Sequence, residues 1–275
     1  RLSDDEITQL SKAMLGESAS TSHIVSLLTQ ETEGNTFFIV EVMRALAEET
    51  QKLSDIGQMT LPTAVSTSGM EALLQRRVQR VMIKDQPLLQ LAAVMGRRLD
   101  LRLLAVLAAE INVADWLQRV LETAVLMVQE NQWLFSHDKL RQTILNELKP
   151  EQRREAHRLV ALTIEAVYAE DARYYPLLLE HWRMVGDEEK ELAYLVPVVQ
   201  HLVWITGDHK KAHDLIHRGL ALLPAVDRRR VALLNEQASS FWRQGQYDKA
   251  EASAQLVLSL APQVGDPSSL ALSLN

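Results

Sequence analysis

The chain has 275 residues, 47% of them apolar and 5% aromatic, no cysteine, and a formal net charge of −7. The absence of thiols excludes disulfides and thiolate zinc sites and suits the cytosol. Sparse glycine (10) and proline (8) favour helices over sheets. No apolar run approaches the roughly 20 residues that a membrane-spanning helix needs. The opening at Arg1, with no signal-peptide pattern and no initiating methionine, reads as a piece of a longer protein.

Two or three domains are expected at this length. Residues 1–60 carry 4 basic and 10 acidic side chains, residues 61–150 carry 11 and 9, and residues 151–275 carry 14 and 17. No segment is basic enough to announce nucleic acid.

The first sixty residues read as a small helical unit. Ser3 and Glu6 have capping-box spacing, and Ile7, Leu10 and Met14 continue the helix to Gly16. A second helix is expected from Ser22 through Leu28. Gly34-Asn35 breaks the chain, and Asn35 can cap a third helix bearing Phe38, Val42 and Met43. Glu48 to Leu61 reads as a polar connection.

A second unit, 61–150, starts at Leu61-Pro62. Leu73, Leu74, Val78 and Val81 predict a long helix, and Leu88 to Met95 predict another stopped by Gly96. Asp100 caps a helix with Leu103 and Leu104. Asn112 caps one with Trp116, Leu117, Val120 and Leu121. Val125–Val128 and Trp133–Phe135 predict two strands around Gln129-Glu130-Asn131. Three short helices followed by a hairpin is the order of a winged helix, which could place its third helix in a DNA groove. That helix, VADWLQRVLET, holds one basic and two acidic residues, which argues against phosphate contact.

His137 then stands at the mouth of a helix carrying Leu140, Ile144, Leu145 and Leu148. A helix start offers free N–H groups and positive potential, so His137 with Asp138 behind it could read a phosphate. The simpler reading is that the two residues cap the helix.

From 151 to 275 helix follows helix. GDHKKA at 207–212 with Pro224 matches GQYDKA at 245–250 with Pro262, at a common offset of 38 residues. This is the second-helix pattern of a tetratricopeptide repeat: the small alanine lets helices approach and the proline ends the second one. An earlier, degenerate unit centres on Gly186-Asp187, with helices Tyr175–Val185 and Glu188–Trp204 and an irregularity at Pro197. Such repeats stack into a solenoid whose surface binds a protein or peptide.

Tests for chemistry leave no catalytic residue assigned. His209, His213 and His217 share a helix face, but His209 reads as packed and no third ligand accompanies the other two, so no metal is assigned. His157, His181 and His201 show no partner spacing. No Gly-x-Ser-x-Gly elbow and no glycine-rich loop ending in Lys-Ser or Lys-Thr is present, so the chain cannot build a phosphate cradle and is not expected to be an enzyme by itself. Arg228-Arg229-Arg230 reads as a solvated turn.

Taken in order, GNTFFIVEVMRALAEE, LPTAV, LLQLAAVMGRRLDLRLLAVL, FSHDKLRQTILNEL and the repeats resemble the STAND class of signal-transduction ATPases. More narrowly, they are similar to bacterial regulators in which an AAA-type ATPase core is followed by tetratricopeptide-like repeats. The resemblance implies an all-α architecture with one small β-hairpin: a helical lid remnant (1–60), a winged helix (61–150) and an α-solenoid (151–275). It implies that ATP or ADP binds in the full-length protein, that no cofactor is held by this stretch alone, and that the P-loop core lies upstream. Gly34 and Asn35 match the family's lid motif, and Thr36 stands where the family has the proline beside adenine. His137-Asp138 matches the pair whose histidine approaches the β-phosphate of ADP. By resemblance the function is regulatory, cytoplasmic and non-catalytic, with the ATPase core and a protein or peptide on the repeats as partners and no membrane. An autonomous tetratricopeptide scaffold and a winged-helix DNA-binding transcription regulator are the alternatives.

Overall fold

The computed structural model describes residues 2–15, the positions 25, 26, 28, 29, 36, 39, 40 and 43, and residues 74–265. Gly34, Asn35, the 61–65 stretch and the expected boundary at Leu61-Pro62 lie outside the described residues. The chain is mostly helical with one two-stranded hairpin, and divides into two compact units, Arg1–Arg153 and Arg154–Asn275. Among the described residues, no helix is long and apolar enough to cross a membrane.

In the first unit, α1 (Asp4–Leu15) starts with the capping box read from the sequence. The Ser3 N–H donates to Glu6 Oε2 at 2.8 Å, and the Glu6 N–H reaches Ser3 Oγ at 3.5 Å. Each side chain thereby satisfies a helix-end donor of the other residue. Ile7, Val25, Leu28, Ile39 and Met43 are all buried.

Of the helix expected from Leu73 to Val81, the described residues show 74–79 as helical, and its start lies outside them. The chain then turns through the 3-10 turn Ile83–Asp85 into α2 (Gln86–Met95), whose Pro87 sits in the first turn where a missing N–H costs nothing. Asp100 and Asn112 cap α3 (Leu101–Leu107) and α4 (Val113–Glu122): Asp100 Oδ1 accepts from Arg102 N at 2.9 Å, and Asn112 Oδ1 from Ala114 N at 3.0 Å.

Strands β1 (Leu126–Gln129) and β2 (Gln132–Phe135) pair antiparallel, with Leu126 opposite Phe135 and Gln129 opposite Gln132. The turn is two residues, not the expected three. Glu130 and Asn131 both take positive φ (49° and 60°), the geometry that matches strand twist in the tightest hairpins. The sequence reading also lacked a third extended piece. Leu99 N donates to Trp133 O, and Phe135 N to Arg97 O, both at 2.9 Å, so residues 97–99 line the other edge of β2. Helix α5 (Asp138–Glu147) follows and is tied to α2 by Arg141 Nη1 donating to Ala93 O at 3.1 Å.

Asp85 fixes α4. Its side chain is only 2% exposed, yet it holds Arg119 at 2.6 and 2.9 Å, while its carbonyl accepts the Trp116 indole N–H at 3.1 Å. The guanidinium holds the Asp85 carboxyl below its ordinary value, chiefly through hydrogen bonding.

The second unit holds most of α6 (Pro150–Val167) and then α7 (Tyr175–Val185), α8 (Glu188–His201), α9 (His209–Leu222), α10 (Arg228–Arg243) and α11 (Tyr247–Val264). The α7–α8 turn is Gly186-Asp187 as expected: Gly186 is left-handed (φ +80°) and Asp187 caps α8 through Lys190 N. The same pair recurs as Gly207-Asp208 before α9.

Helix α11 starts 38 residues after α9, at 247 against 209, which agrees with the offset of the matched motifs. Ala212 and Ala250 are buried at their close contacts. Pro224 follows the end of α9, but Pro262 lies inside α11, which ends instead at left-handed Gly265. In the final turn proline removes only a hydrogen bond near the helix end, so the helix runs through it. Downstream of Pro197, α8 passes into a π turn, Leu202–Thr206, which the helical spacing did not foretell.

Gly219 is where three helices crowd. A Cβ there would stand 2.5 Å from Leu233 Cδ1 and 3.0 Å from Leu195 Cδ2, and both leucines are fully buried. Gly219→Val is expected to destabilise the chain by about 1–3 kcal/mol through overpacking, measured by urea unfolding. Arg119→Ala should cost roughly 3 kcal/mol by leaving a buried carboxylate unpaired, with the loss partly restored when Asp85→Asn is added.

Candidate functional site

His137 is the N-cap of α5. Its backbone is extended (φ −148°, ψ 144°), and its Nδ1 accepts the Lys139 N–H at 3.1 Å. A ring nitrogen that accepts must be unprotonated, so the proton of the neutral ring sits on Nε2 and makes that atom a donor. Capping and presentation of a donor are therefore compatible in one ring. Burial, and then the positive charge of Arg97, push the imidazole below its ordinary pKa, while Asp138 opposes them. The ring is half-buried.

Asp138 acts on the ring through its charge and has a second partner. Its carboxylate is hydrogen-bonded to Arg141 Nε at 2.9 Å, which holds its pKa down. Arg141 lies three residues on, about one helical turn, and so on the same face as Asp138. Thr36 is an exposed helical residue with no hydrogen bond to His137 among the described residues, and Asn35 lies outside them.

The other histidines have partners that their spacing in the sequence did not indicate. His209 and His213 converge on one hydroxyl: Ser240 Oγ lies 2.9 Å from His209 Nδ1 and 3.1 Å from His213 Nε2. His213 also stacks on Phe241, and His217, one turn on, is exposed. His209 and His213 are thus engaged by α10. His157 and His181, which show no partner spacing, meet across α6 and α7 with their Nδ1 atoms 2.8 Å apart. The signal was present in their neighbours. His157 shares a stripe with Val160, Ala161 and Ile164, and His181 with Leu178 and Trp182, so both belong to core faces. Among the described residues, no group of three or more His, Asp or Glu is placed to hold a metal ion.

The triple arginine is not a solvated turn. Arg229 bonds Asp227 and Glu189, and Arg230 Nη1 donates to the carbonyls of Leu220 and Leu223. Arg230 thereby meets carbonyl acceptors left at the end of α9.

Comparisons with family models, with curated proteins and with solved structures return no match to this chain.

Burial, reinforced by the neighbouring imidazole, lowers the pKa of His181 from 6.5 to about 3. Above pH 6.5 the folded and unfolded chains are both neutral at this site, and its contribution to stability is complete. As pH falls toward 3, the unfolded chain takes up a proton that the folded chain refuses, so stability is lost progressively. At pH 5 the loss should reach about 2 kcal/mol. Urea unfolding at pH 7.5 and 5 checks this, and His181→Phe should flatten the difference.

Proposed function

We propose that this chain is a regulatory, non-catalytic part of a STAND-type ATPase, in which nucleotide occupancy of an ATPase core elsewhere in the protein is read at His137 and coupled to partner binding on the helical repeats. The observation that carries the reading is the His137 ring at the start of α5, with Nδ1 accepting from Lys139 N and the proton of the neutral ring on Nε2. A donor at a helix N-terminus suits a phosphate oxygen, because the helix adds positive potential.

The architecture supports the finer assignments. The order α2, extended 97–99, α3, α4 and hairpin is that of a winged helix, and the 38-residue recurrence in α8–α11 is that of tetratricopeptide-like pairs. The structure favours regulation over DNA reading, because Arg119, the basic residue of α4, is already bound to Asp85. ATP or ADP is then the ligand of the complete protein. Its site combines core residues with His137, and with Asn35 and Thr36 of the lid. The repeats take a protein or peptide, and the compartment is the cytoplasm.

The test separates sensing from capping. His137→Asp keeps a capping side chain but places a carboxylate where phosphate would lie. In the 275-residue chain this variant should melt like the parent. In the complete protein it should bind ADP about tenfold more weakly or worse, in line with a charge-assisted bond of roughly 1–3 kcal/mol, and signal without stimulus. Unchanged ADP affinity by calorimetry would refute the nucleotide-sensing role.

A further inference from the structure

The repeats recur on their surface as well as in their core. Trp204 and Trp242 are 38 residues apart, the offset that relates α9 to α11, and both are exposed (51% and 64%). Beside them Ile205 is 73% exposed. Large apolar side chains left in water at equivalent positions of successive repeats are not explained by packing.

The two repeats touch at this surface. The Trp204 indole N–H donates to Glu236 Oε2 of α10 at 2.8 Å, and the Arg243 guanidinium lies 5.0 Å from the Trp204 ring centre. Trp242 adjoins Arg243 in the chain. Lys249 sits 5.5 Å over the Phe241 ring. Arg243 and Lys249 are both exposed, each rests on an aromatic face, and among the described residues neither has a carboxylate at ion-pair distance. By contrast, Arg218 and Arg229 in the same unit bind carboxylates.

We propose that Trp204, Ile205 and Trp242, with the unpaired cations Arg243 and Lys249, form a docking surface for an acidic peptide bearing apolar residues. The inference rests on the partner-binding role proposed for the repeats and adds the partner's chemistry. The tryptophans supply rigid apolar area at low entropic cost, and the cations supply charge complementarity at its rim. Single-stranded nucleic acid also stacks on aromatics. A phosphate backbone needs a cationic track along its length, however, whereas two cations beside the aromatics suit a few carboxylates.

The test uses the full 275-residue chain and a fluorescein-labelled peptide with two leucines between two pairs of glutamates. Controls are the same peptide with glutamine or lysine replacing glutamate, and a labelled oligothymidine. By fluorescence polarisation the glutamate peptide should bind at least tenfold more tightly than every control, and binding should weaken with salt. Trp242→Ala changes an exposed residue and should leave the melting temperature unchanged, while Arg243→Glu, which loses the contact to Trp204 and reverses a charge at the end of α10, should lower it only slightly. Each should weaken the glutamate peptide tenfold or more, and Arg243→Glu should improve the lysine peptide. Equal binding of the glutamine peptide, lost in Trp242→Ala, would overturn the acidic chemistry while leaving a partner-binding surface. Preference for oligothymidine, indifference to both substitutions, or no binding at all would overturn the proposal outright.

Discussion

A charge buried in the first unit governs much of what surrounds it. Asp85 is almost inaccessible to water, and an isolated carboxylate in that position would cost several kcal/mol. Arg119 answers it with two hydrogen bonds, and Trp116 donates to the same residue's carbonyl, so one point on the chain fixes the helix α4 at two successive turns. The consequence is functional as well as structural. A helix has a limited number of side chains on each face, and α4 spends its basic one on orientation. What remains outward is acidic or neutral, including Asp115 and Glu122, and repels a phosphate backbone.

The second unit uses related carboxylate links twice, one half-buried and one buried. Glu165 of α6 accepts from Trp182 of α7 and from Lys190 and Tyr194 of α8, at 2.7 to 3.1 Å. Glu191 of α8, 1% exposed, takes both nitrogens of Arg218 of α9 at 3.0 Å. Each carboxylate links helices that are neighbours in the chain. Apolar packing in the cluster of Leu192, Leu195, Val199, Ile216 and Leu233 is permissive about register, since similar leucines can slide past one another. A buried carboxylate with defined donors is not permissive, because a shift of one turn leaves it unpaired. These links specify the repeat register that the apolar core then stabilises.

What was legible in the sequence was local. The Ser3–Glu6 box, the Asp100 and Asn112 caps and the Gly186-Asp187 turn each involve residues two or three positions apart, where spacing decides geometry. The cap role of His137 was legible for the same reason. Its tautomer was not, because that depends on which nitrogen meets Lys139 N. The contacts that escaped are long-range: His157 with His181 at a separation of 24 residues, His209 and His213 on Ser240, and residues 97–99 beside β2. Helical periodicity places a histidine on a face but does not say which face opposes it. The π turn after α8 escaped too, since a turn with one extra residue leaves the apolar spacing nearly unchanged.

The 38-residue offset carries two kinds of information. Ala212 and Ala250 recur because helices must approach closely there, and any larger side chain would separate them. Gly207 and Gly245 recur because both adopt positive φ (+69° and +73°), which a side chain would strain. Steric and backbone constraints thus account for those positions completely. They do not account for Trp204 and Trp242, which keep much of their rings in water. The bound Trp204 edge and the stacked Arg243 hold that surface in one conformation before any partner arrives, which lowers the ordering cost that association would otherwise carry.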